Sequence, residues 1–237
     1  MGAEAGLARR AGTVARWPLG MGLAFWRYLW RTLPLHRSDE EGSPERDLPP
    51  PLPDGLADGR LQRLEDGSGP LFRRRYRVRI VGSPRTPEEL MAEILRAPNR
   101  AAPIEMAVFR KTRGGQGPLA VGDEFVVRMP GPWDGPVVVV DRTPTSFRFA
   151  TLRGHLEAGQ IEFRTGHDGD AVRFEIESWA RSGDRLSGLL FDRVRLAKEM
   201  QLHMWTHFCE RVAKLAGGRI RGGIRIHTRR VDALPPG

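Results

Sequence analysis

His155 and Glu157, which follow Arg153 and Gly154, are the residues whose types and spacing best fit acid–base chemistry in this chain. An imidazole with a pKa of about 6.5 beside a carboxylate is a common way to build a general acid or base at neutral pH. If the strand runs on through them, positions 153, 155 and 157 share one face and Arg153 joins the pair. The same residues also describe a turn in which histidine and carboxylate bond nearby backbone, as polar side chains at strand ends usually do.

His203 and His207 stand four apart, a spacing at which two imidazoles on one helix can share a metal. No glutamate follows His203 and both fall on the polar side of their helix, so the metalloprotease pattern fails and no metal site is expected. Cys209 is the only cysteine, which excludes an internal disulfide and a cysteine-based zinc site. With no recognisable leader, it points to a reducing, cytoplasmic setting. No cofactor motif is present and no cofactor is expected.

The elements that must position these residues are legible from period and turn chemistry. At about 100° per residue, Leu186, Leu190, Val194, Ala197, Met204, Trp205, Phe208, Val212 and Leu215 share one helix face, with Arg195, Glu199, His203, Thr206 and Glu210 opposite. This predicts a helix from about Asp184 to Ala216, stopped by Gly217 and Gly218. Gln201 interrupts the apolar stripe, and a buried amide must find partners or cost a few kcal/mol.

Before this helix come six strand-like runs: 104–110, 124–129, 136–142, 147–153, 160–164 and 171–180, divided by glycine and proline turns. In the last, Val172, Phe174 and Ile176 alternate with Arg173, Glu175 and Glu177, predicting an antiparallel sheet with one wet face. A seventh strand, 72–81, precedes a short helix whose start is marked by Thr86, Pro87 and Glu89, a capping box with proline at the first turn.

Strand, helix, six strands and a long helix is an order that resembles the START-like helix-grip superfamily, which includes plant pathogenesis-related allergens, lipid-transfer domains and polyketide cyclases. The stretch from Phe147 to Phe163, with Thr151-Leu152, Gly154-His155 and Glu157-Ala158-Gly159, resembles a domain-of-unknown-function family of bacteria and plants. The strand bearing Tyr76 and the helical Gln201 are similar to that family too, and the likeness spans about residues 69–216. Leu156 stands where the family usually has proline, and Gln160 where it often has an acidic residue. The resemblance implies an α+β fold, a curved antiparallel sheet of about seven strands wrapped over the long helix, with a cavity between them. Ligand-lining candidates are Gln201, Met204, Trp205 and Phe208 on the helix and Phe149, Thr151, Phe163 and Phe174 on the strands. Should most of these large side chains point inward, they would fill that cavity.

Residues 1–37 read as a basic, aromatic amphipathic helix. Trp17, Met21, Phe25, Trp26, Leu29 and Trp30 are apolar, but Arg27 and Arg31 would cost roughly 2.5–3.5 kcal/mol each inside a bilayer. An interfacial helix meeting anionic headgroups, or one packed on the domain or a partner, is therefore expected rather than a spanning one. Residues 38–69 read as an acidic, proline-rich linker, 70–216 as the START-like domain, and 217–237 as a basic, mobile tail.

A net charge of +9 raises nucleic-acid binding. However, only Lys111, Lys198 and Lys214 are lysines and no nucleic-acid motif appears, so no specific nucleic-acid partner is expected. The primary expectation is a module that binds a hydrophobic small molecule or lipid, peripheral on the inner membrane face. The alternatives are a cyclase-, dehydratase- or hydrolase-like enzyme using His155 and Glu157, and a membrane-docked scaffold. The residues specify no oligomeric state.

Overall fold

The structure, a computed structural model, describes residues 33–53, 55–56, 59–129, 134–183 and 191–232, with residues 191–200 described as backbone only. The expected membrane-contact residues, Trp17 to Arg31, lie outside the described residues.

The seven expected strands are present as β2 (Ser68–Val81), β3 (Val108–Arg113), β4 (Glu124–Arg128), β5 (Asp134–Arg142), β6 (Ser146–Thr151), β7 (Glu157–Asp168) and β8 (Ala171–Ser182). They form one open antiparallel sheet in the order β2-β8-β7-β6-β5-β4-β3. Between β2 and β3 lie α2 (Pro87–Arg96) and α3 (Pro98–Ala101), and α4 (Phe191–Leu215) closes the inner face. This is the helix-grip architecture.

Local chemistry explains the helix ends. Thr86 Oγ1 accepts from the Glu89 amide at 3.2 Å, and Glu89 Oε2 accepts from the Thr86 amide at 2.9 Å. At the far end of α4, Gly217 has φ +73°, its amide reaches Lys214 O at 3.0 Å and the Gly218 amide reaches Ala213 O at 3.1 Å. That hydrogen-bond pair is a Schellman stop, which a left-handed glycine permits without strain. Thr206, expected on the polar side, is instead fully buried and donates to Leu202 O at 2.8 Å. The reason is that α3 packs against α4 and widens its covered arc.

Two expectations about the arms are corrected. The sheet has three further strands: β1 (Leu35–Glu41), β9 (Arg219–Ile220) and β10 (Ile224–Val231). The basic tail is therefore mostly a strand, with β10 lying between β2, to which it is antiparallel, and β1, to which it is parallel. Residues 38–69 are likewise no free linker, for they hold most of β1, a helical turn α1 (Pro44–Asp47) and a 3₁₀ turn at Leu64–Asp66.

Charge complementarity explains why this arm docks. The outer face of β2 presents Arg73, Arg75, Arg77 and Arg79, and the acidic arm supplies Asp47, fully buried, to Arg73 at 2.8 Å and to Arg229 at 3.3 Å. Glu177, 1% exposed, takes Arg73 Nε at 2.7 Å and Arg75 Nη2 at 2.8 Å. Arg164 bridges Glu175 and Glu177. The alternation read in β8 holds, and on its polar face Glu175 and Glu177 are buried beneath arginines that stay partly exposed.

Candidate functional site

The space between sheet and α4 is built from aromatic side chains on inward positions of successive strands. Phe147 and Phe149 come from β6, Phe163 from β7, Phe174 from β8, and Trp205 and Phe208 from α4. Phe163 stacks on Phe147 with centroids 4.7 Å apart and meets Phe208 at 5.2 Å and Trp205 at 5.7 Å. Phe174 stacks on Phe208 at 6.0 Å and Phe149 meets Phe147 edge-on at 5.4 Å. Offset and edge contacts of this kind are favourable for π systems. Phe149, Phe163, Phe174 and Phe208, the aromatic ligand-lining candidates, are therefore brought together in a packed core with ring-to-ring contacts.

At one end this apolar interior meets a polar chain. Gln201 Nε2 donates to Glu157 Oε2 at 2.6 Å, and Gln201 Oε1 accepts from Arg74 Nη1 at 3.2 Å. The amide that broke the helical stripe thus joins a carboxylate on β7 to a guanidinium on β2, and its side chain is only partly buried. Tyr76, two residues along β2 from Arg74 on the same face, is buried, and desolvation pushes its phenol up to about 12. Leu202, Met204 and Trp205, each 6–9% exposed, complete this end of the core. Sequence reasoning missed Arg74. The signal was available: in the alternation Arg74, Tyr76, Val78, Ile80, it is the one cation on the inward face.

His155 and Glu157 are close but do not form an acid–base pair. β6 ends at Thr151 and β7 begins at Glu157, so residues 152–156 are a turn, with the His155 amide on Leu152 O at 3.0 Å. The strand does not continue, and Arg153 is exposed rather than grouped with them. His155 Nδ1 accepts from the Glu157 amide at 2.9 Å, while the Glu157 carboxylate turns to Gln201. Burial lowers the imidazole pKa, partly offset by the nearby Glu157 charge. The histidine is thereby held neutral with its acceptor nitrogen occupied by backbone. A Cβ at Gly135 would stand 3.0 Å from His155 Nε2, so the ring packs directly on β5 where that strand lacks a side chain.

Thr151 is also used by the backbone: its hydroxyl donates to Gln62 O at 2.9 Å and accepts from the Gly159 amide at 2.9 Å. Gln160 lies on the opposite face of β7 from Glu157 and donates to Pro50 O at 3.1 Å. An acidic residue there would face the proline arm, not Glu157. The outer cleft beside it, about 360 Å³ and lined by Pro49–Pro53, Leu61 and Ala150 among others, had no sequence signal.

Among the described residues, no group of three His, Cys, Asp or Glu side chains is placed to hold a metal ion. Cys209 is buried and forms no disulfide. No helix among them is long and apolar enough to cross a membrane.

No curated protein matches the chain. Among solved structures, the chain is similar to the di-domain aromatase/cyclase StfQ of the steffimycin biosynthetic pathway: TM-score 0.45 and 9% identity, covering 65% of this chain and 52% of that one. The chain thus spans about half the length of that protein. It is similar also to a conserved protein from Geobacillus kaustophilus, with TM-score 0.44 and 12% identity over 63% of this chain and 99% of that one. A third similar structure is Ara h 8.0201, with TM-score 0.41 and 9% identity over 62% and 97% of the two chains. The model of one family, described as a domain of unknown function, matches residues 72–211, which take in everything from β2 through most of α4. The chain belongs to that family, DUF1990.

Proposed function

We propose that this protein binds an amphipathic or apolar small molecule, or a lipid, at the Gln201 end of the space between the sheet and α4. The observation that carries this reading is the Arg74–Gln201–Glu157 chain at the edge of the aromatic interior. Ligand sites are commonly apolar with a few placed polar groups that fix orientation. Here an amide with both donor and acceptor would hold a polar head while Leu202, Met204, Trp205 and Tyr76 meet the apolar part. The ring stack beyond Trp205 sets the floor of the site and limits it to a short tail unless those rings move.

The N-terminal segment supports a location at an anionic membrane surface, because Trp26, Trp30 and Leu29 accompany Arg27 and Arg31 in a pattern suited to the headgroup boundary. Native mass spectrometry with lipid extraction tests the first part. The intact chain should carry one apolar or amphipathic molecule per protein, and Gln201→Leu should lower its retention about tenfold, or about 1.4 kcal/mol. An intact chain that arrives empty and binds no oleate in equilibrium dialysis would refute the reading. For the membrane part, deleting residues 1–32, which precede every described element, should abolish sedimentation with phosphatidylglycerol vesicles.

A further inference from the structure

A second outer cleft lies at the β1 edge of the sheet. It encloses about 270 Å³ between β1, β10 and β2, and the side chains around it include His36, Arg37, Arg75, Arg77, Arg225 and His227, with no carboxylate among the lining residues. Strand register creates this concentration. His36 stands opposite Arg225, which stands opposite Arg77; one row along, Ser38 stands opposite His227, which stands opposite Arg75. These positions share the outer face because residues two apart on a strand point the same way.

Part of this corner is neutralised, and Arg225 is not. Arg75 is held by Glu177 at 2.8 Å, and Arg77 by Glu175 at 2.7 Å. His227 lies 3.1 Å from Glu40, which also takes Arg229 at 3.3 Å. The side chains of Arg225 and His36 make no hydrogen bond or ion pair among the described residues, and both are exposed. Arg225 is thus directly opposite a like charge, an arrangement that destabilises a strand pair; Glu175 offsets Arg77, and no carboxylate meets Arg225 among the described residues. A concave surface lined by four arginines and two histidines, with Arg225 unpaired, suits the multiple acceptor oxygens of a phosphate, which arginine binds through two parallel hydrogen bonds.

We propose that this cleft is a phosphate-binding site, taking the phosphate group of a membrane lipid headgroup or of a small soluble phosphate ester. It is separate from the interior of the sheet and does not depend on the ligand reading above. Geometry favours access from a surface, since the segment rich in arginine and tryptophan enters the sheet at Pro34 and Leu35, beside His36. A bound phosphate would relieve the Arg225–Arg77 repulsion and give the exposed cations a partner.

The test uses the full chain and inorganic phosphate. Thermal melts in phosphate, compared with sodium chloride at equal ionic strength, should show a rise in Tm that grows with phosphate concentration, as linkage requires of a ligand that binds the folded state. Arg225→Glu should remove that rise and melt no lower than wild type in phosphate-free buffer, since it replaces a like-charge pair with Arg77 by an opposite-charge one. Arg225→Ala, which introduces no new charge, should weaken phosphate binding by about tenfold or more. A wild-type melt that follows ionic strength alone, or variants that respond to phosphate as wild type does, would overturn the proposal. Vesicles separate the two sources. Retention on phosphatidylglycerol vesicles that is competed by inorganic phosphate and reduced in Arg225→Glu supports the headgroup. A phosphate response with vesicle retention unchanged by that substitution supports a soluble ester.

Discussion

Glu177→Gln probes the outer network at its centre. Glu177 is 1% exposed and receives Arg73 at 2.7 Å, Arg75 at 2.8 Å and Arg164. The glutamine has the same shape, but one of its terminal groups becomes a donor aimed at guanidinium donors, and three half-buried cations lose a compensating charge. Removing one partner of a buried ion pair costs about 3–5 kcal/mol, which for a chain of this size lowers Tm by roughly 6–20 °C. Burial by itself would raise the Glu177 pKa; hydrogen bonds and charge from Arg75, Arg164 and Arg73 overcome it and hold the carboxyl below its ordinary 4.5. A depressed folded pKa contributes stability that is present above the unfolded value and lost as pH falls through the folded value. The gap between wild type and variant should therefore be full at pH 7 and narrow below about pH 4.5. Urea melts of both proteins from pH 7 to pH 3 measure this. A loss under about 1 kcal/mol at pH 7, or a gap that does not shrink in acid, would show that the network is solvated and that the acidic arm is not its cover.

Two further outcomes follow from the inner face. His155, half-buried with its Nδ1 accepting from backbone, should titrate below 6.5 when followed by two-dimensional NMR. Because its folded pKa is depressed, it contributes stability above about pH 6.5 that fades as pH falls; a midpoint at or above 6.5 would mean the ring is solvated or paired with the Glu157 carboxylate after all. Phe163→Ala removes the ring that touches Phe147, Phe149, Trp205 and Phe208. It should cost about 3–5 kcal/mol in denaturant melts, whereas a loss near 1 kcal/mol would indicate that the ring lines an open void.

Much of the fold was readable because its signals are local. Thr86, Pro87 and Glu89 start α2 by bonds that span three residues, and Gly217 ends α4 because a left-handed stop suits glycine. Val172, Phe174 and Ile176 mark the inward face of β8 by alternation alone. The candidate site was only partly readable. Gln201 was visible as an amide in an apolar stripe, but its partners come from β2 and β7, 127 and 44 residues away. His155 and Glu157 looked like a pair from their spacing. The turn at Gly154 and the missing side chain at Gly135 instead set the imidazole against β5 and its nitrogen on backbone.

The arms illustrate the division most clearly. An acidic, proline-rich stretch and an arginine-rich tail each have, taken alone, the composition of solvated chain, because neither carries enough apolar surface to bury itself. Their pairing is a long-range event: β1 lies parallel to β10 across nearly the whole chain, and Asp47 reaches Arg229 over 182 residues. Period, caps and turns, which act over a few residues, determined from the sequence by itself that there would be a sheet of alternating strands closed by an amphipathic helix. Only the tertiary structure decided which charges face one another, because Coulomb attraction between buried groups depends on distance in space. That is why the outer face became an ionic layer of buried glutamates under partly exposed arginines, with Arg225 left unpaired at one corner.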